Sequence, residues 1–460
     1  DNFSVDARFR GLGLAASDDR PGFANLSGHV EGDARQGRFD IDTHDFVLDL
    51  PMLFREPRMG LDTLQARGGW KRTARGRLVT LDHASFANAD AAGSANGEYE
   101  QVPGTVGRID LEAHLTRADG TAVYRYLPLH VSDPTVEWVR HSIVAGGSND
   151  VRLQLKGDLA RFPFDTGDGV FQVDARVRDG IVDYATGWPR IEGVAGRLLF
   201  EGKRMEVVPT QARIYGATLH PVRVTIPDLT HHDEILLVDG EANGPLQDFI
   251  RFANFSPVGE RLRGLTEGLD GSGPMRLALK MQVPLRRSHE TTLTGQLSFL
   301  GNTLFPPGWP RIEAARGALA FTGDSVSGQN LGASFLGGPL NVNVATRAGR
   351  VQILAQGRAT AAGLAPWLGE TWGTRVSGQT GWQGQIDLET KGERVRIESD
   401  LVGLASTLPS PLAKAATQPL PLSLVSRPDG EGLQRELRLG RLVGAVWRST
   451  AVGALERGEI

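Results

Sequence analysis

A run of four polar residues is the feature of the sequence that most suggests a metal or catalytic site. It reads His231-His232-Asp233-Glu234 and follows Pro227-Asp228. Imidazole and carboxylate groups are common ligands of zinc and other divalent ions. Consecutive residues of a strand point to opposite faces, however, so they seldom bind one ion together. A solvated turn explains the run better, and we expect neither a metal site nor a cofactor.

Paired carboxylates are the second chemical feature, because two opposed acids can hydrolyse a glycosidic bond. Asp40 and Asp42 occupy outward positions of a strand-like segment, and Asp18-Asp19 lies in a turn-like one. The chain contains no Gly-x-Ser-x-Gly, P-loop or His-Glu-x-x-His motif. Two acids brought together from distant strands, as in a glycan hydrolase, stay open as an alternative. The pattern favours a protein that is not an enzyme.

The composition narrows the class of protein further. The 460 residues include 58 Gly, 25 Pro and no Cys, and 40% of them are hydrophobic. This apolar fraction is too high for a disordered chain, and without Cys there are no disulfides or thiolate metal sites. A net charge of -4 argues against nucleic acid as the main partner. The chain begins at Asp1 without a signal or anchor, so we interpret it as a section of a longer protein.

Alternation of apolar and polar residues dominates the chain and must position any functional surface. A period of two indicates antiparallel strands with one apolar and one solvated face. Gly-rich pairs such as Asp179-Gly180 and Ala348-Gly349 separate the runs and predict turns. The residues predicted to line the apolar face are Ile109, Leu111, Leu115, Val151, Leu153, Leu155, Met275, Leu277, Leu279, Met281, Val283, Leu293, Leu297, Phe299, Leu340, Val342 and Val344.

An internal repeat extends the strand pattern. Gly187-Trp-Pro-Arg-Ile-Glu192 recurs as Gly308-Trp-Pro-Arg-Ile-Glu313, and both copies precede a Gly-x-Leu-x-Phe segment. The parity of the alternation slips by one residue just before Gly180 and Gly301, which indicates a bulge or a deletion. We expect Trp188 and Trp309 to pack structurally at a repeated corner.

Helical periodicity is limited to three short segments, 133–143, 245–255 and 361–371. They divide the chain into four predicted modules, residues 1–125, 126–244, 245–360 and 361–460. One copy of the repeat falls in each of the two middle modules, and a Pro-rich loop at 406–422 falls in the last. The helices are expected to cap sheet ends, with gating as the alternative.

These patterns predict a mainly β fold, in which a long, twisted antiparallel sheet of repeated modules curls into an elongated half-pipe with an apolar groove. A few short helices accompany it. One repeat cannot bury its apolar face alone, so neighbouring repeats must extend the same sheet. The alternative is an ordinary β core sealed by a second sheet.

The Pro-rich loop carries a family resemblance. Ser406-Thr-Leu-Pro-Ser-Pro-Leu-Ala-Lys414, followed by Pro419-Leu-Pro-Leu422, resembles a stretch of a large protein of the AsmA-like family of Gram-negative envelopes. The Tyr126-Leu-Pro128 step, the Gly-Trp-Pro turn and the Gly-x-Leu-x-Phe strand are similar to that family as well. The resemblance extends from the first strand to Leu422.

The resemblance implies a function and a location. AsmA-like proteins have an N-terminal anchor in the inner membrane, extend through the periplasm and carry a repeating β-groove that resembles eukaryotic bridge-like lipid transfer proteins. It therefore implies non-enzymatic phospholipid transport between the inner and outer membranes. The expected partners are phospholipid acyl chains, with both membranes contacted through parts outside this sequence. The alternative is a structural or assembly scaffold of the envelope.

Overall fold

The structure is a computed structural model that describes residues 4–17, 20–262, 266–389, 392–430, 432–450 and 455–459. Almost all of these residues lie in strands. The strands are β1 Ser4–Leu14, β2 Gly22–Asp33, β3 Gln36–Asp49, β4 Arg58–Arg72, β5 Arg77–Ala87, β6 Ala91–Gln101, β7 Arg108–Asp119, β8 Ile143–Asp158, β9 Val170–Val182, β10 Ile191–Glu201, β11 Arg204–Ile214, β12 Ala217–Ile226, β13 Ile235–Pro245, β14 Asp270–Ser272, β15 Pro274–Pro284, β16 Thr292–Phe305, β17 Ile312–Thr322, β18 Val326–Phe335, β19 Gly338–Arg347, β20 Arg350–Thr360, β21 Val376–Glu389, β22 Gly392–Ser399, β23 Leu404–Ser406, β24 Leu422–Asp429, β25 Gly432–Leu439, β26 Val443–Thr450 and β27 Leu455–Glu459.

The helices are few and short. They are α1 Asp133–Ser142, α2 Leu246–Asn254, α3 Val258–Arg261, α4 Ala361–Leu368 and α5 Glu370–Gly373, with 3-10 turns at Gly120–Tyr126, Leu159–Arg161 and Ser288–Glu290. All three predicted helical segments are confirmed. The cap of α1 is Ser132, whose side chain accepts the Thr135 N–H, and Pro134 occupies the first turn.

One antiparallel sheet contains every strand, and each strand pairs with the next along the chain. The exceptions are β14, which lies beside β16 while β13 pairs with β15, and β23, which lies beside β21 while β22 pairs with β24. The first and last described strands, β1 and β27, pair with β2 and β26 and not with each other. The predicted single antiparallel sheet is therefore confirmed, and it does not close into a barrel.

Turns and bulges follow the glycines, with one correction. Ala348 (φ 48°) and Gly349 (φ 72°) form a two-residue turn whose twist suits a hairpin. Asp179-Gly180 was predicted as a second turn, but it lies inside β9 as a bulge opposite Val194. Asp179 has a left-handed φ of 53°, which both a turn and a bulge can contain. The Asp-Gly pair alone therefore does not distinguish a turn from a bulge. The bulges predicted just before Gly180 and Gly301 are present in β9 and β16.

Within the described residues, the α-helices α1 to α5 all lie along one rim of the sheet. Successive strands run in opposite directions, so their ends alternate between two rims. The helical segments follow β7, β13 and β20. These three strands run in the same direction, because β13 pairs directly with β15 and the short β14 does not enter the alternation. They therefore end at the same rim. The two Gly-Trp-Pro corners, after β9 and β16, lie at this rim too. We call it the helical rim.

The two faces of the sheet differ in chemistry. On one face, cross-strand ion pairs link neighbouring strands, as between Arg197 and Asp174 (2.7 Å) and between Arg276 and Glu241 (2.6 Å). The two arginine side chains are about half exposed and the carboxylates are partly buried, so each pair adds modest stability and keeps the face hydrated. The opposite face is apolar along the sheet.

The sheet curls along its length. Trp309, in the corner between β16 and β17, lies with its ring centroid 5.8 Å from the guanidinium carbon of Arg435 in β25. Seven strand spacings separate β17 from β25, which is about 34 Å in a flat sheet and far beyond the reach of an arginine. The contact therefore requires the sheet to bend towards its apolar face, which is the face that carries Arg435.

Candidate functional site

All seventeen residues predicted to line the apolar face lie on one face of the sheet. Directly opposed residues of an antiparallel pair share a face, so the register can be followed from strand to strand. Leu111 of β7 is paired with Leu155 of β8, and Met281 of β15 is paired with Leu293 of β16. Further along the sheet, Gly328 of β18 is paired with Val344 of β19, so Val344 lies on the same face. The same face continues upstream to β1 and downstream to β26, so one apolar surface follows the whole sheet.

This surface is only partly covered. Fifteen of the seventeen side chains are half-buried, neither sealed from solvent nor fully exposed. A second sheet packed on this face would have buried most of them, as in a sandwich. The whole chain exposes 27167 Å², whereas a compact protein of this mass exposes about 17,000 Å². The apolar face is thus an open surface of an extended molecule.

Two of the seventeen residues are covered. Met275 is 3% exposed because α2 packs over it through Leu246 and Ile250. Leu340 is 6% exposed and lies opposite Gly357, on which the Trp382 ring rests. The helix therefore closes the helical-rim end of β15 and β16, while Leu277 to Val283 continue the open surface towards the other rim.

Aromatic side chains on this face lie flat over glycines of the neighbouring strand. A Cβ built on Gly295 would come within 2.2 Å of the Phe321 ring, and one built on Gly37 within 2.2 Å of Trp70. The paired registers are Gly295 with Phe321 and Gly37 with Trp70. A ring that covers a glycine gains packing on the sheet without rising from it. The surface consequently stays shallow and smooth where large side chains occur.

The first Gly-Trp-Pro corner joins two helices at the helical rim. The Trp188 ring lies 5.8 Å from that of Phe252 in α2 and 6.1 Å from that of Tyr184. Trp138 of α1 donates its indole N–H to the Tyr184 carbonyl oxygen at 3.0 Å. Burial raises the pKa of the Tyr184 phenol to about 12. Structural packing of Trp188 at the corner is confirmed.

The two groups of polar residues considered for catalysis lie on different parts of the sheet, one in β3 and the other in the loop before β13. His231 and His232 are exposed in the β12–β13 loop, and Asp40 lies on the hydrated face near Arg67 at 3.2 Å. Asp18-Asp19 falls outside the described residues. Over the described ranges, no group of three or more His, Asp or Glu side chains could hold a metal ion. Within those same ranges, every helix is too short or too polar to cross a bilayer.

Two charged residues on the apolar face escaped the sequence analysis. Arg435 is paired with Ser426 of β24 and Trp447 of β26, and Glu393 is opposite Leu388 of β21. The sequence does contain a signal for Arg435. In the alternation Leu433, Arg435, Leu437, a charged residue occupies a position that the pattern assigns to the apolar face. Burial raises the pKa of the Glu393 carboxyl, and Arg435 partly opposes that rise.

Comparisons with known proteins match the chain over nearly its full length. The profile of the family described as "YhdP protein" matches residues 2–460. The chain is 23% identical over 419 residues to the intermembrane phospholipid transporter YhdP of Escherichia coli (strain K12). That match covers 88% of the chain and 32% of the relative, so the chain spans much less than the relative's whole length. No solved structure matches the chain.

Proposed function

The chain belongs to the YhdP family, and from this premise we propose that it forms a section of a hydrophobic conduit that carries phospholipid between the inner and outer membranes. The observation that carries the proposal is the single, half-exposed apolar face that runs from β1 to β26. The relative's name adds support, because it describes phospholipid transport between membranes. The chain would act in the periplasm and without catalysis.

The energetics of acyl chains suit such a face. Each CH₂ that leaves water gains about 0.8 kcal/mol, and a row of Leu, Val, Ile and Ala side chains offers that gain at every strand. Because similar residues recur in register, neighbouring positions bind with similar free energies. A lipid can then move along the face without being trapped, whereas a deep enclosed pocket would retain it.

The geometry also leaves room for the polar end of a lipid. The sheet bends towards its apolar face but does not close, so acyl chains can lie on the face while the headgroup points to the open side. The hydrated face, with its cross-strand ion pairs, stays in contact with water. The four predicted modules, divided by the helical segments, would add length to the conduit and not separate functions.

The test uses two matched pairs of substitutions on β16. Leu293→Asp with Leu297→Asp charges the apolar face, and Thr294→Asp with Gln296→Asp charges the hydrated face of the same strand. Each chain is incubated with vesicles of phosphatidylethanolamine and phosphatidylglycerol, recovered without detergent and measured by native mass spectrometry. We expect the first pair to lower bound phospholipid at least tenfold and the second pair to leave it unchanged.

The outcomes separate the conduit from its alternative. A wild-type chain that recovers no phospholipid, or a Leu293/Leu297 variant that binds as much as wild type, contradicts the conduit. A scaffold predicts the reverse sensitivity, in which changes on the hydrated face abolish binding to envelope proteins and changes on the apolar face do not. Circular dichroism of all variants checks that the sheet is retained.

A further inference from the structure

Arg435 is unusual for its place on the apolar face. It is the fourth of the eight residues of β25 and is half-buried, between Leu433 and Leu437 on the same face. Other charged residues of this face, such as Arg72 and Arg77, are exposed at the ends of their strands. A charge in the middle of a strand on an apolar surface is costly unless it is paired.

The guanidinium of Arg435 has no such partner in the described part of the chain. Among the described residues it makes a cation-π contact with Trp309, in the corner between β16 and β17. The Trp309 ring centroid is 5.8 Å from the guanidinium carbon. A cation over an aromatic ring is stabilised, but its N–H groups are not used by that interaction. Arg435 is half-buried, so its five N–H donors are available in a partly desolvated setting, in which charge-assisted hydrogen bonds to a phosphate are stronger than in water.

Glu393 is the second charge on this part of the face. It lies near the start of β22, two ladder steps from β25, and its burial raises the pKa of the carboxyl. Arg435 lowers that pKa, so the two groups interact electrostatically. They form no ion pair with each other, and Glu393 has no hydrogen-bond partner among the described residues. Two opposite charges thus lie on one apolar surface without an ion pair between them.

The surrounding residues suit the interface between headgroup and acyl chain. Ser426 and Trp447 flank Arg435 in register, and Trp309 covers it from the opposite side of the curl. Tryptophan combines an apolar body with a polar N–H and favours boundaries between hydrocarbon and water. Val395 and Leu437 continue the apolar surface on either side.

We propose that Arg435 and Glu393 form a binding site for a zwitterionic phospholipid headgroup, with the phosphodiester at Arg435 and the ammonium group at Glu393. This inference rests on the proposed lipid conduit and adds a position where the headgroup is recognised. A headgroup with opposite charges at its two ends satisfies both side chains at once. A purely anionic headgroup satisfies Arg435 but faces repulsion from the Glu393 carboxylate.

The experiment measures which lipids the chain selects. The chain is incubated with vesicles that contain equal amounts of phosphatidylethanolamine, phosphatidylglycerol and diacylglycerol with identical acyl chains, and the bound lipids are extracted and quantified. The wild type should enrich phosphatidylethanolamine at least fivefold over diacylglycerol. Arg435→Gln should remove that enrichment, and Glu393→Gln should lower the ratio of phosphatidylethanolamine to phosphatidylglycerol at least threefold.

Matched controls lie on the same strands but on the hydrated face. Arg438→Gln in β25 and Glu398→Gln in β22 remove equal charges, and both should leave the lipid ratios unchanged. Arg435→Lys keeps the charge and should retain part of the enrichment, which separates phosphate binding from a purely structural role at the Trp309 corner.

Each outcome bears on a different proposal. If Arg435→Gln binds lipid with wild-type ratios, or if Arg435→Lys loses the enrichment as fully as Arg435→Gln, the headgroup site is wrong while the conduit stands. If the wild type binds all three lipids in equal amounts, the headgroup site is likewise overturned. A wild-type chain that binds no lipid overturns both.

Discussion

Glycines on the apolar face act at the scale of single residues by leaving space for a neighbour's ring. Gly295 and Gly37 lie opposite Phe321 and Trp70, and in both pairs the ring occupies the volume that a side chain would fill. The glycine content that the composition shows is therefore partly a packing requirement. Other glycines, such as Gly349, are needed for a left-handed turn.

A substitution at Gly295 tests this packing. Gly295→Val should displace the Phe321 ring from the sheet and destabilise the chain by about 1–3 kcal/mol, because the new side chain overlaps the ring. Gly332→Ala is the matched control, since no atom lies within 4 Å of the position of its Cβ. Urea unfolding monitored by circular dichroism compares the two. Equal midpoints for Gly295→Val and wild type would contradict the role of the ring.

Helix α2 is an element that covers part of the apolar face. Leu246 and Ile250 form a buried cluster with Met275, which Leu297, Phe299 and Leu304 flank. The helix begins after Pro245, whose φ of -63° already suits a helical start. It places a covered core at the helical rim, so one end of β15 and β16 is anchored while the rest of the face stays open.

Truncation of Ile250 measures the contribution of this core. Ile250→Ala should lower the free energy of unfolding by about 2–4 kcal/mol, because it deletes buried methyl groups and leaves a cavity. Phe255→Ala also removes a large side chain just after the helix, but Phe255 is 67% exposed and should change stability by less than about 0.5 kcal/mol. Thermal and urea unfolding provide the readout. Similar losses in the two variants would show that α2 is not packed as described.

At the scale of the whole molecule, the sheet is long and thinly covered. Twenty-five strands follow one another by pairing, once the short strands β14 and β23 are set aside. Their combined width is about 115 Å along the curved sheet. The contact between Trp309 and Arg435 shows that the curl brings distant strands within reach of each other. Such a shape provides an extended surface and not a central core.

Small-angle X-ray scattering tests the shape directly. A compact protein of 460 residues has a radius of gyration of about 23 Å. We expect a value clearly above this, with a distance distribution that has a long tail, because the exposed area exceeds that of a compact chain. A monomer with a radius of gyration near 23 Å would indicate that the apolar face is sealed by folding back on itself.

The features that the sequence predicted are those that depend on local residue patterns. The period of two assigns a residue to a face, so the seventeen apolar positions, the antiparallel sheet and the three helical segments followed from the chain alone. The repeated Gly-Trp-Pro run correctly marked two equivalent corners at the ends of β9 and β16. The role of the seventeen residues in lipid binding, and the four modules, remain predictions.

Only the tertiary structure decided which of these surfaces is covered and which residues meet across it. Met275 is sealed because a helix that starts at Leu246 returns over it. Arg435 meets Trp309 because the sheet curls, although 126 positions separate them in the sequence. Alternation specifies the face of a residue but not the curvature of the sheet, which is the sum of many small rotations between strands. Contacts between distant strands depend on that sum, so no local pattern contains them.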